Sequence, residues 1–173
     1  PLRLVGSEMC IRDSLLPSLF KAIIVSVGVI SDSGDACVSE IVRNCFGCSS
    51  LDDEGPKVHL ARVFAEEIVS PKVSKIAKLR AKCALYLSEC FEVGLVGSSH
   101  LPKPVADIAS VAIEKALEDA DATVRGNAKL AYEKFHRVVD ESYFDAFTQQ
   151  LDPEIKRRLA LALSLIHISE PTR

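Results

Sequence analysis

The sequence is poor in residues that break helices and lacks the marks of several protein classes. Only 8 glycines and 8 prolines occur among 173 residues, grouped between apolar stretches, and there is no tryptophan. This composition favours helices over a sheet and predicts an all-α fold. The most apolar run, Ala22–Ile30, is far shorter than the ~20 residues that span a bilayer. We see no secretory signal, so we expect no membrane segment and a cytoplasmic protein.

Positive charge and catalytic motifs are also scarce. The net charge of −3 argues against a general binder of nucleic acid or anionic membrane, because both need a cationic field, although a local basic edge remains possible. No glycine-rich phosphate loop occurs, and no serine or cysteine stands in a nucleophile motif with a histidine. We therefore expect no catalytic site and no cofactor.

Both ends of the chain read as translated sequencing adapter. The codons TCG GAG ATG TGT ATA AGA GAC AG encode Ser7 to Asp13 and begin Ser14, and their reverse complement, CTG TCT CTT ATA CAC ATC TCC GA, encodes Leu163 to Ser169 and begins Glu170. Two unrelated protein termini would rarely permit both readings, and the alternative is a real capping helix at each end. We predict that residues 1–14 and 163–173 are adapter-derived and that residues 15–162 are a partial domain truncated on both sides.

Apolar residues recur at helical spacing throughout the central segment. Polar or proline-containing breaks separate the stripes, which predicts successive helices. We favour one helix from Val27 to Phe46, with Gly34 permitting a close neighbour, and we expect Asp140 and Asp152 to cap the last two helices. The first of these two helices should bury Tyr143, Phe144 and Phe147, and the second should bury Ile155 and Leu159. The four middle stripes are Val58, Ala61, Ala65 and Ile68; Leu79, Cys83, Tyr86 and Cys90; Val105, Ile108, Ala112 and Ala116; and Val124, Ala128, Ala131, Phe135 and Val138.

Antiparallel helix pairs of this length are each too thin to bury their own apolar face. Stacked pairs joined by short loops form an α-solenoid, which is the architecture we predict, with a compact bundle as the alternative. A missing neighbour on the N-terminal side would leave Leu16 and Phe20 exposed.

The stretch from Leu117 to Ala128 resembles a HEAT repeat. In such repeats an acid at the turn between the helices precedes a Val-Arg pair that opens the second helix, and Asp119 and Arg125 occupy those places. The resemblance implies that acid and arginine bond between neighbouring turns as a structural ladder. Arg80 repeats the second half of the motif, but Ser74 stands where its acid is expected.

Residues Leu79 to Leu159 further resemble the end of a TOG domain of the CLASP type. The likeness rests on the order and spacing of three stretches, LRAKCALYLS from Leu79, DADATVRGNAKLAYEKF from Asp119, and FTQQLDPEIKRRL from Phe147. It implies that the chain holds about the last four of six HEAT repeats and belongs to a longer protein with several TOG domains on the microtubule cytoskeleton, at the spindle or at plus ends.

The resemblance also implies a partner, the tubulin heterodimer or the microtubule, bound through loops along one edge of the paddle. Lys72, Lys75 and Lys78 cluster around one such loop, and Lys129 lies one turn into a later helix. A local cationic strip could steer the encounter with an acidic surface. The alternative is a solvated charge run beside a helix start.

The sequence is also compatible with two other functions. A generic HEAT scaffold would bind another protein through its concave face. A helical metal or redox protein would be built around Cys37, Cys45 and Cys48, but the Cys45-x-x-Cys48 pair is only half of a zinc site, so we expect no metal. With Cys10 set aside, the odd number of cysteines cannot all pair, which favours reduced thiols.

Overall fold

The computed structural model describes residues 15–47, 55–70, 76–94 and 101–168, and their side chains except at 45–47, 55–59, 93–94 and 161–168. These ranges form helices joined by short connections. In chain order they are α1 Leu16–Ile24, α2 Gly28–Gly47, α3 Gly55–Val69, α4 Ala77–Gly94, α5 Lys103–Leu117, α6 Ala122–Phe135, α7 Glu141–Gln150 and α8 Pro153–Ile168.

The helices pair in sequence and the pairs stack. α1 packs on α2, α3 on α4, and α5 on α6. Between pairs, α2, α4 and α6 pack side by side in one layer, and α3 packs on α5 in the other. This two-layered stack is an all-α solenoid, as predicted, and not a compact bundle.

The predicted stripes form the core. Cys83 and Tyr86 of α4 are fully buried, as are Val124, Ala128 and Phe135 of α6. Because these side chains face inward from adjacent helices of one layer, α4 and α6 make the most extensive helix contact. The remaining positions of the four stripes are also buried, except Ile108, which is partly buried, and Val58, which lies outside the described side chains.

Aromatic rings connect successive pairs through the core. The ring of Phe64 lies 6.2 Å from that of Phe20 and 5.3 Å from that of Tyr86, so it joins α1, α3 and α4. Farther along, the rings of Phe91 and Phe135 are 5.4 Å apart. Tilted ring pairs at these distances are favourable beyond the area that they bury.

The burial of α1 contradicts one expectation. Leu16 and Phe20 are only 0% and 6% exposed, because α2 covers one side of α1 and Phe64 covers the Phe20 ring. Gly34 explains how α2 comes so close, since a Cβ atom there would lie 3.2 Å from Cγ1 of Ile23. The predicted close approach at Gly34 is confirmed, and the predicted exposure of Leu16 and Phe20 is wrong.

The ends of α7 and α8 follow the sequence signals with one exception. The Asp152 carboxylate accepts the Glu154 backbone N–H at 2.7 Å, as expected of a cap. Asp140 precedes α7, but its side chain accepts no capping hydrogen bond, and only its carbonyl joins the helix, from the Phe144 N–H at 2.9 Å. Asp140 is thus the N-cap residue of α7, as predicted, although its side chain makes no capping hydrogen bond.

The aromatic residues of α7 are buried less completely than predicted. Phe147 is buried, whereas Tyr143 and Phe144 are only partly covered. Ile155 and Leu159 of α8 are buried as expected.

The two end segments lie largely beyond the described chain. Residues 1–14 and 169–173 are outside it, and the α8 backbone continues to Ile168, into the second segment. Their origin as adapter stays a prediction. Among the described helices, none combines the length and the apolar character needed to cross a membrane.

Candidate protein-binding edge

The turns inside the helix pairs lie along one edge of the solenoid, which we name the turn edge. Contacts between neighbouring turns show this arrangement: Lys78 at the start of α4 reaches Ser31 at the start of α2, and Arg80 reaches Asp119 in the turn before α6. The turn edge comprises the connections 25–27, 70–76, 118–121 and 151–152, with residues 71–75 outside the described chain.

Each second helix of a pair begins at the turn edge. The N-termini of α2, α4, α6 and α8 therefore all point to it, and each carries the positive end of a helix dipole, although Asp121 and Asp152 already accept backbone N–H groups at the starts of α6 and α8. An edge with several such ends is favourable for a negatively charged partner, independently of its side chains.

Three of the four predicted edge lysines belong to the second turn. Lys72 and Lys75 lie outside the described residues. Lys78 is exposed, and its Nζ donates a hydrogen bond to Oγ of Ser31 at 2.7 Å. Ser31 is buried and donates in turn to the Ile23 carbonyl at 2.9 Å, so Lys78 helps to hold α1, α2 and α4 together.

The Arg80 guanidinium forms a two-pronged ion pair with Asp119, a residue of the next helix pair. Nε donates to Oδ2 at 2.6 Å and Nη2 to Oδ1 at 2.9 Å, and the two side chains are only 13% and 10% exposed. The hydrogen bond from Arg80 is the main reason that the pKa of Asp119 lies below its usual value. Arg80 and Asp119 therefore bond between neighbouring turns of the stack.

Arg125 makes a different contact from the one implied by the HEAT resemblance. Its Nη1 donates to the carbonyls of Asp119 and Ala120, both at 2.7 Å, and these carbonyls belong to its own turn. Asp121 completes the turn by accepting the N–H groups of Thr123 and Val124 at 2.8 and 3.1 Å. The turn is thus fixed by bonds to its backbone.

Lys129, the last predicted edge lysine, is half-buried one turn beyond Arg125. It borders a small cleft between α6 and α8, whose described lining is completed by Leu117, Arg125, Ile155, Arg158 and Leu159.

The first turn presents apolar side chains. Val27 and Val29 are 53% and 78% exposed, and Val25 and Ile30 are also exposed. One end of the turn edge is therefore apolar, and the opposite end carries Lys129 and its neighbouring arginines.

Sequence reasoning missed a polar network just inside the turn edge. The Asp35 carboxylate pairs with Lys82 Nζ at 2.7 Å and accepts the Tyr86 hydroxyl at 2.5 Å. Burial raises the pKa of Asp35, but the bonds from Lys82 and Tyr86 outweigh it, so the net shift is downward. Burial and the bond to Asp35 raise the pKa of Tyr86. The available signal was that Asp35, a charged residue, lies on the same face of α2 as the apolar Val38, which indicates a partner for the carboxylate inside the stack.

Among the cysteines whose side chains the structure describes, Cys37, Cys83 and Cys90 are free thiols. Cys37 is exposed, and Cys45 and Cys48 lie outside the described side chains, so the metal or redox hypothesis has no described site to rest on. Groups of three or more metal-ligating side chains are absent from the part of the chain that the structure describes. Burial raises the pKa of Cys83, which disfavours a nucleophilic thiolate there.

Comparison with known proteins now identifies the family. The family model described as CLASP N terminal matches residues 8–160, starting inside the first segment predicted to be adapter and ending before the second. A protein of Arabidopsis thaliana named CLIP-associated protein is 27% identical over 159 residues, which cover 89% of this chain and 10% of that protein. The chain thus spans about a tenth of the length of this relative. The resemblance drawn from the sequence is confirmed, and the chain belongs to the CLASP N-terminal family.

Proposed function

We propose that this chain is part of a microtubule-associated regulator and that its turn edge binds the tubulin heterodimer. The observation that carries the proposal is the match to the CLASP N-terminal family over an all-α solenoid. The named relative is a CLIP-associated protein, which supports a role beside microtubules. The function needs no catalytic group in the chain.

The electrostatics of the turn edge support an acidic partner. Four helices begin at this edge, and Lys78 and Lys129 add formal positive charge. The bond to Ser31 uses one of the three N–H groups of Lys78, which leaves the others for a partner. Such a local field speeds the encounter with an acidic protein surface and weakens as salt rises, even though the net charge of the chain is −3.

The apolar first turn supports a protein partner rather than a free anion. Val25, Val27, Val29 and Ile30 would each lose exposed surface in a contact along the edge. Buried apolar area contributes about 25 cal/mol per Å², so this turn supplies affinity, while Lys78 and Lys129 in the second helices of later pairs supply orientation. Lys72 and Lys75 complete the proposed edge from the sequence.

A charge-reversal pair of variants tests the proposal. Lys129→Glu changes the turn edge, whereas Lys103→Glu makes the same change at an exposed residue that starts α5 at the opposite edge. Binding of the whole chain to purified tubulin is measured by size-exclusion chromatography and by co-sedimentation with microtubules, at low and high salt. We expect Lys129→Glu to weaken binding by about tenfold, the value of one charge-assisted contact, and Lys103→Glu to leave it nearly unchanged.

Three results would contradict the proposal. The first is an equal loss of tubulin binding in Lys129→Glu and Lys103→Glu, which would mean that binding depends only on the total charge of the chain. The second is full binding by Lys129→Glu and by a Lys72→Ala/Lys75→Ala variant, which moves the contact to the helix faces of a generic HEAT scaffold. The third is no tubulin binding by the unaltered chain. Unfolding midpoints of all variants must match, so that lost binding is not lost folding.

A further inference from the structure

The cleft between α6 and α8 brings three basic residues together around one cavity. Arg125 and Lys129 border it from α6, and Arg158 borders it from α8. None of the six described lining residues is acidic. An anion that entered the cleft would therefore meet three basic side chains and no acidic one among these lining residues.

Arg158 has an unsatisfied hydrogen-bond donor beside the cleft. Its Nε is buried, and within the described structure it has no hydrogen-bond partner. A buried N–H without an acceptor costs about 1–3 kcal/mol, more for a charged group, and an unpaired donor in a native protein calls for an explanation. By contrast, the adjacent Arg157 is exposed and pairs with Glu154 at 2.8 Å. An acceptor supplied from outside would satisfy Arg158.

The size and lining of the cleft restrict what this acceptor is. The cavity volume is about 40 Å³, while a single water needs at least ~10–15 Å³ measured in this way, so there is room for a few heavy atoms only. A carboxylate has three, and its planar oxygens match the guanidinium fork. Leu117, Ile155 and Leu159 provide apolar walls for the methylene group behind such a carboxylate.

We infer that this cleft is a receptor for a single carboxylate, contributed by an aspartate or glutamate side chain of a protein partner. Arg158 and Lys129 donate to the carboxylate oxygens, while Arg125 adds charge and remains tied to its own turn. The inference rests on the proposed function in that an acidic protein surface meets the turn edge. The binding of the carboxylate can nevertheless be measured without tubulin.

The test uses the whole chain and a blocked triglutamate peptide, acetylated and amidated at its ends. The Nε–H signal of Arg158 is followed by nuclear magnetic resonance at constant ionic strength, with blocked triglutamine and inorganic phosphate as comparison ligands. Arg158→Met and Lys129→Met should each lower the affinity for triglutamate by about tenfold, because each removes a charge-assisted bond. Arg157→Met, which removes a neighbouring exposed arginine of the same helix, should change it less than about twofold.

The outcomes separate the inference from its alternatives. A shift of the Arg158 Nε–H signal by triglutamate but not by triglutamine, lost in the two cleft variants alone, supports the receptor. Equal loss in Arg157→Met indicates diffuse attraction and overturns it, as does tighter binding of inorganic phosphate than of triglutamate. Arg158→Lys keeps the positive charge but removes the two-pronged donor set of the guanidinium, so it should bind triglutamate more weakly than the unaltered chain. This variant replaces Arg158→Met if the latter does not fold. Triglutamate binding without tubulin binding would support the carboxylate receptor and reject the proposed function. Tubulin binding without triglutamate binding would support the proposed function and reject the receptor.

Discussion

Breaking the ion pair between Arg80 and Asp119 should destabilise the solenoid more than breaking any exposed pair. Arg80→Met keeps the aliphatic bulk of the side chain, and Asp119→Asn keeps the shape of the acceptor. Both variants remove the pairing of two charges that are 13% and 10% exposed and that join successive helix pairs. Asp119 also accepts the backbone N–H of Asp121 at 2.9 Å, so its loss disturbs the turn as well.

The expected magnitude lies between those of exposed and buried pairs. Exposed pairs contribute about 0–1 kcal/mol, whereas removing one partner of a fully buried pair costs about 3–5 kcal/mol. The Arg80 pair is mostly covered but lies at an edge, so we expect a loss of about 2–3 kcal/mol for either variant. For a chain of this size that lowers Tm by about 4–12 °C.

Urea unfolding followed by circular dichroism measures these losses for the single variants and the double variant. Because both variants remove the same contact, the double variant should cost much less than the sum of the two, with a coupling of about 1–3 kcal/mol. Arg43→Met is the matched control, since its pair with Glu40 spans 3.5 Å and both side chains are 65% exposed. Losses that add, or losses no larger than that of the control, would refute the view that this contact holds neighbouring pairs together.

Two further perturbations test the packing and the charges. Gly34→Val should destabilise the chain by about 1–3 kcal/mol, because the added atoms enter the 3.2 Å space beside Ile23, whereas Gly126→Ala, with nothing within 4 Å, should stabilise α6 by about 0.5–1 kcal/mol. Urea midpoints measure both, and a stabilising Gly34→Val would contradict the close approach. The carboxyl pKa values of Asp119 and Asp35 are lowered on folding, so their contribution to stability is complete above the ordinary value of 3.8 and is lost as pH falls through the lower folded values. When urea midpoints are measured from pH 7 to pH 2, the urea concentration at the midpoint should therefore decrease once the pH is below about 4. The decrease should be less steep in Asp119→Asn, and an equal decrease in that variant would count against a contribution of the Asp119 carboxylate.

Much of the fold was predictable because helical spacing encodes burial locally. The stripe containing Cys83 and Tyr86 and the stripe containing Ala128 and Phe135 each identify one buried helix face without knowledge of the neighbour. The exposure of Leu16 was predicted wrongly because it depends on which helix covers α1, and spacing within α1 carries no such information.

The polar contacts of the candidate site could be predicted only in part. The HEAT likeness implied bonds between neighbouring turns and singled out Asp119 and Arg80, yet a local motif does not specify which residue of the following helix pair is the partner of Arg80. Asp35 was missed for the same reason, since Lys82 and Tyr86 approach it only through the stacking of α2 and α4. The cleft around Arg158 likewise forms only when α6 and α8 come together.

The same internal contacts bear on how an acidic chain could bind an acidic partner at the turn edge, as proposed. Asp35, Asp119 and Asp121 all lie near the turns, but each carboxylate accepts bonds from lysine, arginine, tyrosine or backbone groups of the protein itself. Their negative charge is therefore compensated from within, while Lys78 and Lys129 keep N–H groups available for a partner. For this reason the total charge argues against nucleic acid in general but does not argue against an acidic protein bound at the turn edge.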